Sequence, residues 1–207
     1  MSKTIIQIDD AGWGNPLGGV LIGAANAETS AFVSKEISIA YFKEGFFEEQ
    51  NYLEEAAKLS VENLRCSGVD NRSFKIHLCP GYIHSKTEKL LRRMGYKVIR
   101  TEIKEPLQTL LEQEYRKYIL QMTGVDLYYD PKVMGKTEIA AAYRKTISFI
   151  ESHNMWDLAK TGWGSLRKYA YIRRRNIAKD YTDLKREEMS YSDIIDNRRS
   201  FLKDKLV

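Results

Sequence analysis

Two adjacent carboxylates, Asp9 and Asp10, close an apolar run and open the loop of IDDAGWGNPLGG at residues 8–19. Paired acids at a strand end either hold a divalent cation or merely mark the exit into a turn. Mg²⁺ demands octahedral oxygen ligation and keeps several of its waters, so it selects clustered aspartates and glutamates. Two such ions about 3.5 to 4 Å apart activate a water and stabilise a leaving oxygen in phosphodiester cleavage. Neighbours on a strand point to opposite faces, so Asp10 can join Asp9 only where the turn brings it round.

A second kind of chemistry lies near the other end of the chain. Residues 160–179, KTGWGSLRKYAYIRRRNIAK, contain seven basic side chains, no acid, and the aromatics Trp163, Tyr169 and Tyr171. Basic groups track a phosphate backbone and aromatic rings stack on bases. Arg167, Lys168, Tyr169, Tyr171, Arg173, Arg174 and Arg175 are therefore candidate nucleic-acid contacts. The bland alternative is a helix with a solvated basic face. Tyr169 and Tyr171 are two apart, about 200° round a helix, so only one of them can face a ligand. His77 and His84 read as structural or surface residues, and Cys66 and Cys79 lack the spacing of a zinc site.

With 207 residues and 43% hydrophobic content, the chain has room for one sizeable core and a small appendage. The net charge of +5 is uneven: residues 1–99 hold 12 Lys/Arg against 12 Asp/Glu, so the excess lies in the later half. No run approaches the roughly 18 to 20 apolar residues of a membrane span, and acids come too early for a signal peptide. A soluble, cytoplasmic chain without a membrane partner is expected, its two cysteines present as thiols.

The elements that must position these groups follow from period and punctuation. Residues 4–10, 19–25 and 31–41 read as three strands of an antiparallel meander. Leu53, Ala57, Val61 and Leu64 mark a helix over 50–66 that stops at Gly68. Then come a strand at 74–79, a helix opened by the capping pattern Ser85 to Glu88 and closed at Gly95, and a strand at 98–103. Pro106 starts a further helix with Leu107, Leu111, Tyr115 and Ile119 on its apolar stripe. Beyond Gly124 a turn-rich linker leads to helices expected at about 136–153, 166–177 and 182–206. Two domains are expected, residues 1–130 and a basic helical extension over 131–207. Two Gly-Trp-Gly tripeptides, at 12–14 and 162–164, are too short to argue duplication.

The order βββαβαβα resembles the ribonuclease H fold, an α/β architecture with a five-stranded mixed sheet. The opening strengthens the resemblance: Asp9, then Gly14-Asn15-Pro16, Leu17 and Gly18-Gly19, is similar to the loop after the first catalytic aspartate in ribonuclease H-like enzymes. This implies Asp9 as the first carboxylate and Asn15 as a nucleic-acid contact. Asn51-Tyr52-Leu53-Glu54 resembles the family's Asn-x-x-Glu and implies Glu54 as the second metal ligand. Where the family has a third carboxylate, this chain has Cys79-Pro80-Gly81-Tyr82. Asp10 or Glu105 would complete the shell, with Asp126 and Asp130 competing and Glu105 equally readable as a charge at a helix start. The resemblance implies a Mg²⁺- or Mn²⁺-dependent nuclease acting on RNA, DNA or a hybrid. The alternative is a non-catalytic nucleic-acid-binding module that has kept the fold and lost a metal ligand.

Overall fold

The computed structural model describes residues 4–67, 74–130 and 133–169. Five strands, β1 (Ile5–Ala11), β2 (Val20–Asn26), β3 (Phe32–Ile37), β4 (Lys75–Leu78) and β5 (Lys97–Arg100), form one sheet in the order β3-β2-β1-β4-β5. The meander β1-β2-β3 is antiparallel, whereas β4 and β5 join β1 in parallel. A five-stranded mixed sheet with helices is the α/β architecture expected from the sequence. Helices α1 (Asn51–Cys66) and α2 (Ser85–Arg93) supply the parallel crossovers, followed by α3 (Leu107–Thr123) and α4 (Lys136–Ser152).

The alternation of β1 divides the molecule into two cores. Ile6 and Ile8 enter a core with α1 and α2, while Ala11 belongs to another with α3 and α4. Gln7, on the face of Ala11, ties the start of α3 to the strand. Its Nε2 donates to the carbonyls of Lys104 and Glu105 at 3.3 and 3.2 Å, and its Oε1 accepts from Leu107 N at 3.3 Å. From that anchor α3 lays Leu107, Leu111 and Tyr115 along the sheet. Gly23, paired with Asp9 across β1 and β2, permits the approach, since a Cβ there would lie 2.8 Å from a Leu111 methyl.

Several boundaries differ from the sequence reading. β3 stops at Ile37 rather than reaching Tyr41, because the Ser38 hydroxyl accepts from Ala40 N and starts a 3-10 turn. β5 ends at Arg100, freeing Ile103 to enter the second core. The cap of α2 falls on His84, behind a 3-10 turn at Tyr82–His84, so the Ser85 to Glu88 capping pattern is not used as expected. Ile147, Ile150, Trp156, Leu158 and Leu166, beyond residue 130, share a core with Leu17 and Leu107. The helix expected at 166–177 is represented by a 3-10 segment, Gly164–Tyr169, and the rest of it, with the 182–206 helix, lies outside the described residues.

The loop of residues 12–18 closes around a lysine. Lys160 is fully buried, and its Nζ donates to the carbonyls of Gly12 at 2.8 Å, Asn15 at 2.6 Å and Leu17 at 3.4 Å. An ammonium has three donors and no acceptor, so a ring of carbonyls is the partner set it requires. Burial pushes its pKa well below the ordinary lysine value, opposed by the charges of Glu36 and Asp10. Backbone bonds complete the clamp: Lys160 N donates to Pro16 O and Gly18 N to Leu158 O, both at 2.8 Å. Lys43 grips the same incoming segment from its other side through the carbonyls of Trp156, Asp157 and Ala159. Lys160 thus leaves the basic segment proposed from sequence and becomes part of the core. Trp163, 6.3 Å from Trp13 between ring centroids, brings the two Gly-Trp-Gly tripeptides together.

Replacing Lys160 by Met should destabilise the protein by at least about 1–3 kcal/mol, the cost of stranding a buried acceptor. Urea unfolding should show a lower midpoint at unchanged slope, and an unchanged midpoint would mean that the lysine does not anchor the loop.

Candidate active site

Asp9 and Asp10 lie at the C-terminal end of the central strand, next to the end of parallel β4, the place where open α/β sheets form their crevice. Asp9 is buried and faces α3; Asp10 faces the opposite side, where His84 stands with Nε2 3.5 Å from Oδ1. Strand geometry would separate the two acids, but the chain after β4 wraps the strand end. Cys79 reaches the Asp9 side, its backbone N–H bonded to Ile8 O at 2.9 Å, and the turn through Gly81 delivers His84 to the other. One ligand-capable atom from each of Asp9, Asp10, Cys79 and His84 lies within 4.8 Å of all the others.

Neighbouring groups fix this cluster. The N–H of Asp10 donates to Asp9 Oδ1 at 2.8 Å, and the Cys79 thiol is hydrogen-bonded to Asp9. Burial first, then the Asp9 charge and that hydrogen bond, push the thiol pKa up to about 12. Arg100, at the end of β5, donates to Gly81 O at 3.0 Å and steadies the turn.

Beyond the carboxylates opens a cleft of about 290 Å³, walled by Trp13, Glu112, Tyr115, Tyr128 and Tyr129. Gly12 lets this wall close: its φ is +91°, and a Cβ would lie 2.1 Å from the Tyr115 ring. A side chain is therefore excluded both by conformation and by space. Tyr115 OH donates to Leu17 O at 3.0 Å and Tyr129 OH to Gly14 O at 2.6 Å, so these two rings hold the loop. Tyr128 is half-buried, with its hydroxyl on Glu112 Oε2 at 3.0 Å; burial, then the Glu112 charge, raises its pKa.

The structure does not gather all the residues expected from sequence. Glu54 is exposed at the start of α1 and pairs with Lys86 at 2.6 Å, outside both the cluster and the cleft lining. Glu105 is exposed and accepts from the Thr109 hydroxyl at 2.7 Å in the first turn of α3, the role of a charge at a helix start. Asp126 pairs with Arg116, whose hydrogen bond lowers its pKa. Asn15 lines the cleft, but its side chain is engaged by the loop, accepting from Leu17 N at 3.0 Å and donating to Leu127 O at 3.3 Å. Arg167, Lys168 and Tyr169 lie on the 3-10 segment Gly164–Tyr169, while Tyr171, Arg173, Arg174 and Arg175 lie outside the described residues.

His84 and Glu112 were not expected at the site. Burial of His84 behind Pro80-Gly81 has no sequence signal. Glu112 is adjacent to Leu111 and three before Tyr115 on the α3 stripe, a position from which a helix can reach a strand end.

No family model matches the chain, and no curated protein does. Among solved structures, the catalytic core domain of BIV integrase is similar with a TM-score of 0.37 and 12% identity, over 72% of this chain and 83% of that one. That similarity says nothing of what this chain binds or cleaves. Among the described residues, no helix is long and apolar enough to cross a membrane.

In metal-free protein at pH 8, a thiol with a pKa near 12 is ionised in about one molecule in 10⁴. Iodoacetamide should therefore label exposed Cys66 first and leave Cys79 unmodified, as peptide mass mapping would show. Equal labelling would contradict the buried Cys79–Asp9 contact.

Proposed function

We propose that this protein acts on nucleic acid as a cation-dependent phosphodiesterase of the ribonuclease H type, with its reaction centre at the ends of β1 and β4. The observation that carries this reading is the convergence of Asp9, Asp10 and Cys79 in the lining of an open cleft, with the buried His84 behind them, all within 4.8 Å. Two carboxylates so placed repel a phosphodiester unless a cation lies between them. A bound divalent ion would polarise the phosphoryl oxygen and lower the pKa of an attacking water.

The pair of Mg²⁺ ions implied by the resemblance does not fit this donor set. Two such ions are held by clustered carboxylates, whereas Glu54 and Glu105 stand elsewhere, Glu112 is hydrogen-bonded to Tyr128, and a thiol and an imidazole occupy the remaining positions. The chain's own contribution is orientation. Asp9 is held by the Asp10 N–H and the Cys79 thiol, so its carboxylate presents a fixed edge to the cleft. Tyr128, a half-buried ring of the wall, would stack on a base or sugar beside the reacting phosphate. The basic residues Arg167, Lys168, Arg173, Arg174 and Arg175, with Tyr169 and Tyr171, would grip the strand outside the cleft.

A non-catalytic nucleic-acid-binding module is the second reading, favoured by Cys79 at the strand end where the resemblance implies a carboxylate. Cleavage of labelled RNA, DNA and hybrid with Mg²⁺, Mn²⁺ or Zn²⁺, or without metal, separates the two. Asp9→Asn should lower cleavage more than about 100-fold while the fold survives, as for loss of a group acting on the reacting atoms. Absence of cleavage on every substrate, with salt-sensitive binding retained, would establish the binding module instead.

The basic segment outside the cleft has its own signature. Neutralising Arg173, Arg174 and Arg175 should flatten the slope of log affinity against log salt by about 0.7 to 0.9 for each phosphate that is no longer neutralised. An unchanged slope would remove this segment from the interface. Tyr128→Ala should weaken single-strand binding by about 1–3 kcal/mol if its ring meets a base, and unchanged affinity would leave it a wall residue only.

A further inference from the structure

We infer that Asp9, Asp10, Cys79 and His84 form a site for one borderline transition ion, with Zn²⁺ as the best-fitting member, rather than for Mg²⁺. The inference names the ion of the cleft in which the phosphodiesterase reading places its reaction, and it rests on donor geometry that can be tested without a nucleic acid.

The observation that distinguishes this cluster from ordinary acidic surface is His84. Its side chain is fully buried, and neither ring nitrogen makes a hydrogen bond. Buried imidazoles are ordinarily hydrogen-bonded, because leaving such a group unsatisfied is costly. Here Nε2 instead points at Asp10 Oδ1 from 3.5 Å, beyond the usual range of an N–H···O bond. A gap of that size between a nitrogen and a carboxylate oxygen suits two ligands of one ion better than a direct contact. Zn–N and Zn–O bonds of about 2.0 to 2.2 Å and a Zn–S bond of about 2.3 Å place tetrahedral co-ligands about 3.3 to 3.7 Å apart. The His84–Asp10 pair at 3.5 Å already has this spacing, and the other donor atoms, all within 4.8 Å of one another, would draw in around the ion on binding.

Donor chemistry then selects the ion. One imidazole nitrogen, one sulfur and two carboxylate oxygens offer a four-ligand set that Zn²⁺ or Co²⁺ accepts in tetrahedral form. Mg²⁺ takes oxygen ligands and would leave the sulfur and the nitrogen unused. Binding replaces the Cys79 S–H bond to Asp9 by a metal–sulfur bond and releases the thiol proton to solvent. The backbone supports the same geometry. Gly81 N donates to Cys79 Sγ at 3.4 Å, an outer contact that would stabilise charge on the sulfur.

Titration of the full-length Cys66→Ser protein with Co²⁺ tests the site, the substitution removing the exposed thiol as a competing ligand. One equivalent should produce tetrahedral visible bands with a sulfur-to-cobalt charge-transfer band, and one equivalent of Zn²⁺ should abolish both in the presence of millimolar Mg²⁺. Added Cys79→Ser should remove the charge-transfer band and weaken Co²⁺ binding at least about tenfold, with a folded state verified by circular dichroism. His84→Gln should weaken binding to a similar extent; because His84 is buried, the Cys79 variant carries the test if the histidine variant does not fold. No Co²⁺ spectrum from folded protein, an unchanged spectrum in Cys79→Ser, or displacement by Mg²⁺ as effective as that by Zn²⁺ would overturn the inference. Cleavage is measured separately: a 1:1 Zn²⁺ site without nuclease activity would keep this inference and remove the phosphodiesterase reading.

Discussion

The ammonium of Lys160 is the interaction on which the rest of the site depends. Three carbonyls of the 12–18 loop converge on one buried Nζ, and backbone hydrogen bonds beside it tie Leu158 and Lys160 to Gly18 and Pro16 of that loop. Trp13 and Leu17 anchor the loop in the two cores, while glycines at 12, 14, 18 and 19 leave the backbone beside them without side chains. Polar contacts from outside fix that backbone. Lys160, Tyr115 and Tyr129 reach carbonyls along the loop, and Asn15 turns the chain by capping Leu17 N. Because β1 runs directly into this loop, a shift in it would move Asp10 and the cleft wall together.

The cleft follows from competition between strand geometry and connection. Alternation along β1 sends Asp9 toward α3 and Asp10 toward α2, a separation that by itself would make them unrelated. Parallel β4 ends beside them, and its continuation places Cys79 on one side and His84 on the other. Gln7 fixes the start of α3 two residues upstream of Asp9 on the same face, so Glu112 and Tyr115 arrive one turn and two turns along as the outer wall. The result is a concentrated set of charges at a strand end, with one face open and a mixed donor set at its floor.

Much of this architecture was legible because it is encoded locally. The meander, the crossover helices and the apolar stripe of α3 show in hydrophobic period, and the Asp9 to Gly19 spacing pointed to the strand end where the cleft opens. Lys160 was not legible: in KTGWGSLRK it reads as the first member of a basic run, and only burial reveals it as a core donor. Glu54 satisfied a short motif but belongs to the exposed start of α1, where Lys86 claims it. His84 read as a structural or surface residue because its place beside the carboxylates depends on β4 ending beside β1, a pairing between segments far apart in the chain. Local pattern fixes elements, while the identity of groups that meet at a strand end depends on pairing that no short spacing records.

The most direct measurement is a crystal structure with Mn²⁺ or Zn²⁺ and a short oligonucleotide bearing a nonhydrolysable phosphorothioate. An anomalous peak within bonding distance of Asp9, Asp10 and His84, with the modified phosphate beside it and a base against Tyr128, is the expected result. An oligonucleotide bound elsewhere, with no metal peak at the ends of β1 and β4, would contradict a reaction centre in this cleft.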